Sequence, residues 1–189
     1  LVERGDDAHR RSELVRRFDA TGELDPECNV QFGLGGAGTF SDGKLGTGTR
    51  SPAHRLILEL LVEAGAQRRI LWDAKPHVGS DVLPGVVTQV SRRIEELGGE
   101  VRLRTRLTGI HAEGGVVQGV RLLSARGTEE LVPTTDVVLA CGHSARDVFE
   151  ILRDAGVALE RKTFAMGVRI EHLQACIDKA LYGPSAGHP

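Results

Sequence analysis

Thr39, Ser41, Asp42 and Lys44 fall within six residues of one another. Two hydroxyls, a carboxylate and an ammonium are a set that can hold phosphate or ring oxygens and exchange protons. They lie inside residues 29–48, NVQFGLGGAGTFSDGKLGTG, which carry seven of the chain's 24 glycines. Glycine tolerates positive φ and lets a ligand approach the backbone, at an entropic cost to the fold. So many in one place predict a loop wrapped closely around a bound group. The plainer alternative is a flexible solvent loop, which Phe32, Phe40 and Leu45 weaken by offering apolar anchors.

Two familiar motifs can be spelled from this stretch. Gly33, Gly35 and Gly38 give G-x-G-x-x-G, with Val30-Gln31-Phe32 ahead of them as a candidate strand. That fingerprint needs a helix opening at the third glycine, so that its amides meet a pyrophosphate. Gly38 instead leads into TFSDGKLGTGT, with three further glycines and no apolar face. Gly38 to Lys44 also give the G-x-x-x-x-G-K of a P-loop, but Leu45 replaces the hydroxyl residue that binds magnesium, and Gly46 and Gly48 oppose a helix there. A third reading fits better: a non-helical glycine loop lying along an extended cofactor, with backbone amides, Thr39, Ser41 and Lys44 reaching its oxygens.

The elements that would position this loop are read from periodicity. Residues 8–18 are charged with sparse apolar positions and predict a weak surface helix or a loop. The clearest helix spans Ser51 to Gly65, capped by Ser51 with Pro52 in its first turn, and presents Leu56, Ile57, Leu60, Leu61 and Ala64 on one face. Ile70-Leu71-Trp72 suits a short strand, and a second helix runs from about Asp81 to Leu97. Between Glu100 and Thr135 the alternation becomes that of β-structure, broken at Gly114-Gly115. Val137 to Ala140 is a continuous apolar run, as in a strand buried on both faces of a parallel sheet. Ser144 and Asp147 form a capping pair for the next helix, Phe164 to Ile170 reads as a strand, and Leu173 to Ala180 as a short helix. The fold class expected is α/β with an inserted antiparallel β-meander.

Composition narrows the function classes. The chain has 189 residues, 40% hydrophobic and 26% charged, with a net charge of −2. Nothing here forms the basic field that nucleic acid requires. Paired arginines, including Arg10-Arg11 and Arg16-Arg17, read as solvated surface. No apolar run approaches the roughly 20 residues that span a bilayer. Cys28, Cys141 and Cys176 are odd in number and widely spaced, which points to free thiols and a cytoplasmic setting rather than disulfides or zinc. His77 and Asp81 have a spacing open to metal, but a loop histidine and a capping aspartate explain them more simply, and no metal site is expected. The start on Leu1-Val2-Glu3 without Met, and the end in a loop, suggest a piece of a longer polypeptide.

Four segments in order, NVQFGLGGAGTFSDGKL, KPHVGSD, LACGHSARDVFEIL and FAMGVRIEH, resemble the family of bacterial FAD-dependent dehydrogenases, within the wider flavoproteins that carry two dinucleotide-binding domains. The resemblance covers essentially the whole chain, although the family carries an acidic residue where Leu34 stands. It implies a partial FAD/NAD(P)-binding Rossmann-like domain over residues 1–161, with the meander at about 100–135, and the start of a substrate domain over 162–189. FAD is the implied cofactor, with a small-molecule redox substrate, NAD(P)H as a candidate donor, and no nucleic-acid or membrane partner.

The resemblance also implies site residues. Glu3, at the end of a strand, takes the position that accepts the ribose hydroxyls of FAD. Gly36, Gly38, Thr39, Ser41, Asp42, Gly43 and Lys44 lie along the pyrophosphate toward the flavin ring. Leu107 stands where the backbone meets the adenine, and Cys141-Gly142 forms the turn packed beside the cofactor. Lys44 is a candidate to stabilise reduced flavin, and His143 and Asp42 are candidates for proton transfer. Each has a plainer role: Lys44 neutralising phosphate, His143 capping a helix, Cys141 a small packed residue. Two other function classes stay open, a P-loop-like nucleotide-binding protein and a flavin-fold module that binds a partner without redox chemistry.

Overall fold

A computed structural model describes residues 1–40, 43–46 and 51–187. It divides the chain into two compact units, Leu1–Val157 and Ala158–Pro189. The first is a mixed α/β structure containing a three-stranded antiparallel sheet.

The first helix, α1 (Ala8–Thr21), is stronger than its charged sequence predicts. The Asp7 carboxylate accepts the amides of His9 and Arg10 at 2.8 and 2.9 Å, and Gly22 closes the far end in the left-handed region with its N–H on the Phe18 carbonyl. Its buried residues are Ala8, Arg11, Leu14 and Val15, a helical stripe in which an arginine occupies a core position. Arg11 is therefore not the solvated surface residue that its charge suggests.

α2 (Ala53–Glu63) comes next, with the Ala53 amide on the Ser51 hydroxyl at 3.2 Å. The face it buries differs from the predicted one. Leu58, Leu61, Val62 and Ala64 pack on a core of Ala66, Ile70, Val78, Leu83 and Val86, while Leu56 and Ile57 remain 57% and 52% exposed. This helix is apolar on both sides, so spacing alone cannot choose between them. Ile70 enters the same core from a 3-10 turn, Arg68–Leu71, and not from a strand. α3 (Leu83–Glu96) has Pro84 in its first turn and Gly98 just past its end.

The meander is present. β1 (Thr105–Glu113), β2 (Val116–Ser124) and β3 (Glu129–Pro133) pair antiparallel in the order β1-β2-β3, and β1 and β2 are joined at Gly114-Gly115. α4 (Arg146–Asp154) lies on β1, where Ala145, Val148 and Leu152 meet Phe32, Leu107 and Ile110. The expected capping pair is absent. The Ser144 hydroxyl donates to Gln31 Oε1 at 3.1 Å, and the Asp147 carboxylate takes the Arg4 guanidinium.

Val137 to Ala140 form no strand, and Val138 is 93% exposed. Apolar residues make a strand only where a neighbour completes the ladder, and no described segment hydrogen-bonds to this one. The second unit contains α5 (Gln174–Tyr182), and Phe164 to Ile170 are exposed and outside any strand, for the same reason.

The N-terminal segment is joined to residues 100–105 by a parallel bridge, Val2 to Arg102. Glu3 N–H donates to the Arg102 carbonyl at 2.9 Å, and Thr105 N–H to the Glu3 carbonyl at 3.0 Å. Just beyond, Arg104 adopts a positive φ of 48°, unusual for a side-chain-bearing residue. Its guanidinium is held by Asp6 at 2.8 Å and Asp25 at 3.1 Å. Burial works against the charged forms here, but the ion pairs outweigh it, raising the Arg104 pKa and lowering that of Asp25, which also accepts the amides of Glu27 and Cys28. A carboxyl held below its ordinary pKa stabilises the fold above that value and loses the contribution as pH falls through the folded pKa. Stability should therefore hold down to about pH 4 and then decline. Asp25→Asn is expected to cost about 2 kcal/mol at pH 7 and to flatten the acid limb, measured by urea midpoints across pH.

Candidate functional site

The glycine-rich segment is built around the first six residues and α1. Glu3 Oε1 accepts two backbone amides, Gly5 at 2.8 Å and Gly33 at 3.0 Å. This draws the two glycines into direct backbone contact: a Cβ on Gly5 would lie 2.6 Å from the Gly33 Cα. Asp6 continues the attachment, its carbonyl accepting the Leu34 amide at 3.0 Å and its amide meeting Cys28 Sγ at 3.3 Å. Cys28 is fully buried, which pushes its thiol pKa up and suits a packing role.

From the other side comes Arg11, fully buried. Nε donates to the Asn29 carbonyl at 2.8 Å, Nη2 to Val30 at 2.9 Å, and Nη1 to Gly33 and Leu34 at 3.1 and 3.0 Å. The guanidinium also stands over the Phe40 ring, 4.8 Å from its centroid. Burial lowers its pKa from the ordinary arginine value. Four carbonyl oxygens turned toward one cation define the entry to the glycine segment. Gly33 adopts φ +125°, and a Cβ there would strike Arg11 Cδ at 2.3 Å, so only glycine fits.

Beyond Gly33 neither of the two motif geometries develops among the described residues. Ala37–Phe40 is a single 3-10 turn, too short to be the helix of a dinucleotide fingerprint. Lys44 does not open a helix. It forms an antiparallel bridge with His77, flanked by Leu45 N–H on the Pro76 carbonyl at 2.9 Å and Val78 N–H on the Gly43 carbonyl at 3.1 Å. Within the 3-10 turn, Thr39 is fully buried and its hydroxyl has no hydrogen-bond partner among the described residues. Gly35, Gly36 and Gly38 around it are exposed. An unpartnered buried hydroxyl costs free energy, so this atom marks a place where a partner is wanted.

The predicted site residues fall into three groups. Glu3, Gly36, Gly38 and Thr39 are brought together with the start of the loop. Leu107 joins Phe32 and Ala145 in one apolar cluster, and the Ser144–Gln31 bond ties the segment after Cys141, Gly142 and His143 to the same region. Those three are themselves exposed. Gly43 and Lys44 belong instead to the neighbourhood of residues 76–78 and the α3 core, where Leu45 packs. Ser41 and Asp42 lie outside the described residues. His77 is exposed, and among the described residues no group of three or more His, Cys, Asp or Glu side chains could hold a metal ion.

Neither Arg11 nor Arg4 stands out in the sequence as part of this region. The Arg4 guanidinium stacks over Phe32 at 4.4 Å while reaching Asp147 and Glu27. A signal for Arg11 does exist: its spacing from Ala8, Leu14 and Val15 puts it on their stripe.

Comparison with known proteins adds one relation to this geometry. A protein of Clostridium beijerinckii (strain ATCC 51743 / NCIMB 8052), described as "Uncharacterized protein", is 42% identical over all 189 residues. The chain spans about a third of that relative, 34% of its length. No family model matches the chain. No helix among the described residues is long and apolar enough to cross a membrane.

The double constraint on Gly33, from its positive φ and from the Arg11 side chain, gives a direct expectation. Gly33→Ala should destabilise the protein by about 3 kcal/mol or more, or prevent folding, when denaturant midpoints are compared with the unaltered protein.

Proposed function

We propose that this chain is the FAD-binding part of a flavin-dependent oxidoreductase of the dehydrogenase type, built on a Rossmann-like domain into which the antiparallel meander is inserted. The observation that carries the reading is the assembly of Glu3, the glycine segment and the unpartnered Thr39 hydroxyl at one place. The parallel bridge at Val2 agrees with a segment taken from a parallel sheet, where an acidic residue at a strand end receives a ribose. Glu3 uses one carboxylate oxygen for the amides of Gly5 and Gly33, and its second oxygen is the acceptor for a ribose hydroxyl.

The residues present fit the cofactor. Glycines 35, 36 and 38 expose backbone without side-chain bulk, and the Thr39 hydroxyl lacks the partner that a phosphate oxygen supplies. Leu107 and the Cys141-Gly142 turn provide apolar and small surfaces for the adenine and the ring system. When bound, flavin supplies the electron-transfer chemistry, and the protein supplies binding and electrostatics. Lys44 offers a positive charge for phosphate or for the reduced ring, and His143 and Asp42 are the groups able to carry protons to a small-molecule redox substrate, with NAD(P)H as a candidate donor. A P-loop mode is disfavoured by the extended pairing of Lys44 with His77.

The full-length protein, once purified, is expected to show flavin absorbance near about 450 nm that dithionite bleaches. A colourless protein that also fails to take up added FAD would overturn the assignment. FAD bound stoichiometrically but reducible by no donor would replace it with a non-catalytic flavin-fold module.

A further inference from the structure

We infer that Arg11 is a positioning residue: its guanidinium fixes the glycine segment so that the Gly35 amide and the Thr39 hydroxyl together receive a phosphate oxyanion. This rests on the reading that the glycine segment carries a phosphate-bearing cofactor, and it assigns the shape and charge of that subsite to a buried side chain that no ligand would touch.

Peptide geometry decides which way the backbone donors face. Every peptide bond in the described structure is trans, so the carbonyl of one residue and the N–H of the next point in opposite directions. Arg11 takes the carbonyls of Asn29, Val30, Gly33 and Leu34. The amides of Val30, Gln31, Leu34 and Gly35 are therefore turned away from it. Two of these have evident partners, Gln31 N–H on Asn29 Oδ1 at 2.8 Å and Leu34 N–H on the Asp6 carbonyl at 3.0 Å. Val30 N–H and Gly35 N–H have none among the described residues, and of the two Gly35 is the one that adjoins Thr39.

The Thr39 hydroxyl is the second, independent observation. It is buried, unpartnered, and packed against Gly35: a Cβ added at Gly35 would lie 2.3 Å from Thr39 Oγ1. Any side chain at position 35 would cap the hydroxyl. A solvent-exposed backbone donor and a buried, unpartnered hydroxyl thus share one residue pair in the segment that Arg11 holds.

Charge points the same way. Among the described residues no carboxylate forms an ion pair with Arg11, and its hydrogen bonds go only to neutral carbonyls. The Glu3 carboxylate lies near enough to favour the charged form, but burial outweighs it, and a buried cation so weakly compensated is costly. An oxyanion at the Gly35–Thr39 pair adds further negative charge from the solvent side. Preorganised donors backed by a desolvated charge are the arrangement that phosphate groups favour.

The test uses the full-length protein with Arg11→Lys and Thr39→Val, reading the dissociation constants of FAD and of inorganic pyrophosphate, the melting temperature, and amide hydrogen exchange over residues 29–40. Lysine keeps the charge but cannot reach four carbonyls, so Arg11→Lys should speed exchange in this segment and weaken both ligands at least tenfold. Thr39→Val removes an unsatisfied hydroxyl without changing shape, so it should leave the melting temperature of the ligand-free protein unchanged or raised, yet weaken both ligands at least threefold. A merely structural role predicts no such opposition between stability and binding. If Arg11→Lys does not fold, Thr39→Val decides alone. Wild-type ligand affinity in a folded Arg11→Lys protein, or in Thr39→Val, overturns the inference. Pyrophosphate binding that tracks these variants in a protein that takes up no FAD would leave the subsite standing and remove the flavin assignment instead.

Discussion

The buried Arg11 guanidinium is the constraint on which the rest of the first unit's polar architecture depends. A charge in the interior must be given hydrogen-bond partners, and here the partners are main-chain carbonyls drawn from residues 29, 30, 33 and 34. Satisfying one side chain thereby sets the path of an otherwise permissive stretch of backbone. Glycine-rich sequence has high conformational entropy when unfolded. A planar fork with donors at fixed angles imposes a single geometry on it, which lysine could not do. Glu3 performs the complementary task, offering an acceptor to the amides of Gly5 and Gly33. Cation to carbonyls and carboxylate to amides, the two residues hold the segment from both polarities of the peptide group.

Around this centre the charged residues act as structure more than as surface. Arg4, Arg104 and Arg106 reach Glu27, Asp6, Asp25 and Asp147, linking the N-terminal segment, the 25–28 turn, β1 and α4. Exposed ion pairs contribute little singly. These are partly buried and interconnected, and Asp25 also accepts backbone amides, so the network fixes the local path of the chain as well as its charges. The apolar core at Ile70, Val78 and Val86 stabilises the neighbouring helical region, while the glycine segment itself is held mainly by hydrogen bonds.

Legibility in the sequence divides along physical lines. The meander is readable because alternation and a Gly-Gly turn are local signals, and local signals survive into the fold. α1 reads as weaker than it is because an arginine looks solvent-facing, although its position on the apolar stripe is plain. The buried face of α2 cannot be chosen from spacing, since Leu56-Ile57 and Leu61-Val62 compete and only tertiary packing decides between them. Val137 to Ala140 and Phe164 to Ile170 show the converse limit: apolar content permits a strand, but hydrogen-bonded neighbours make one. At the candidate site, the glycine segment stands out in the sequence itself, whereas Glu3 is reached only through the family resemblance. Arg11, the unpartnered Thr39 hydroxyl and the pairing of Lys44 with His77 arise from contacts across the fold and leave no motif.

The bridge between Val2 and Arg102 has a consequence for how the protein is made. Glu3 N–H and the Arg102 carbonyl that accepts it are 99 positions apart (102 − 3), and Arg104 reaches back to Asp6 across 98. During synthesis the two ends of this contact are separated by several seconds, at roughly 5–20 residues per second. Throughout that interval residues 1–5 lack the extended segment that they lie against. α1 and the grip of Arg11 on residues 29–34 need only local chain and can form early. The carboxylate bridge from Glu3 to Gly33 acquires its fixed base only when residues 100–105 have emerged, which places the completion of the glycine segment well after its own synthesis.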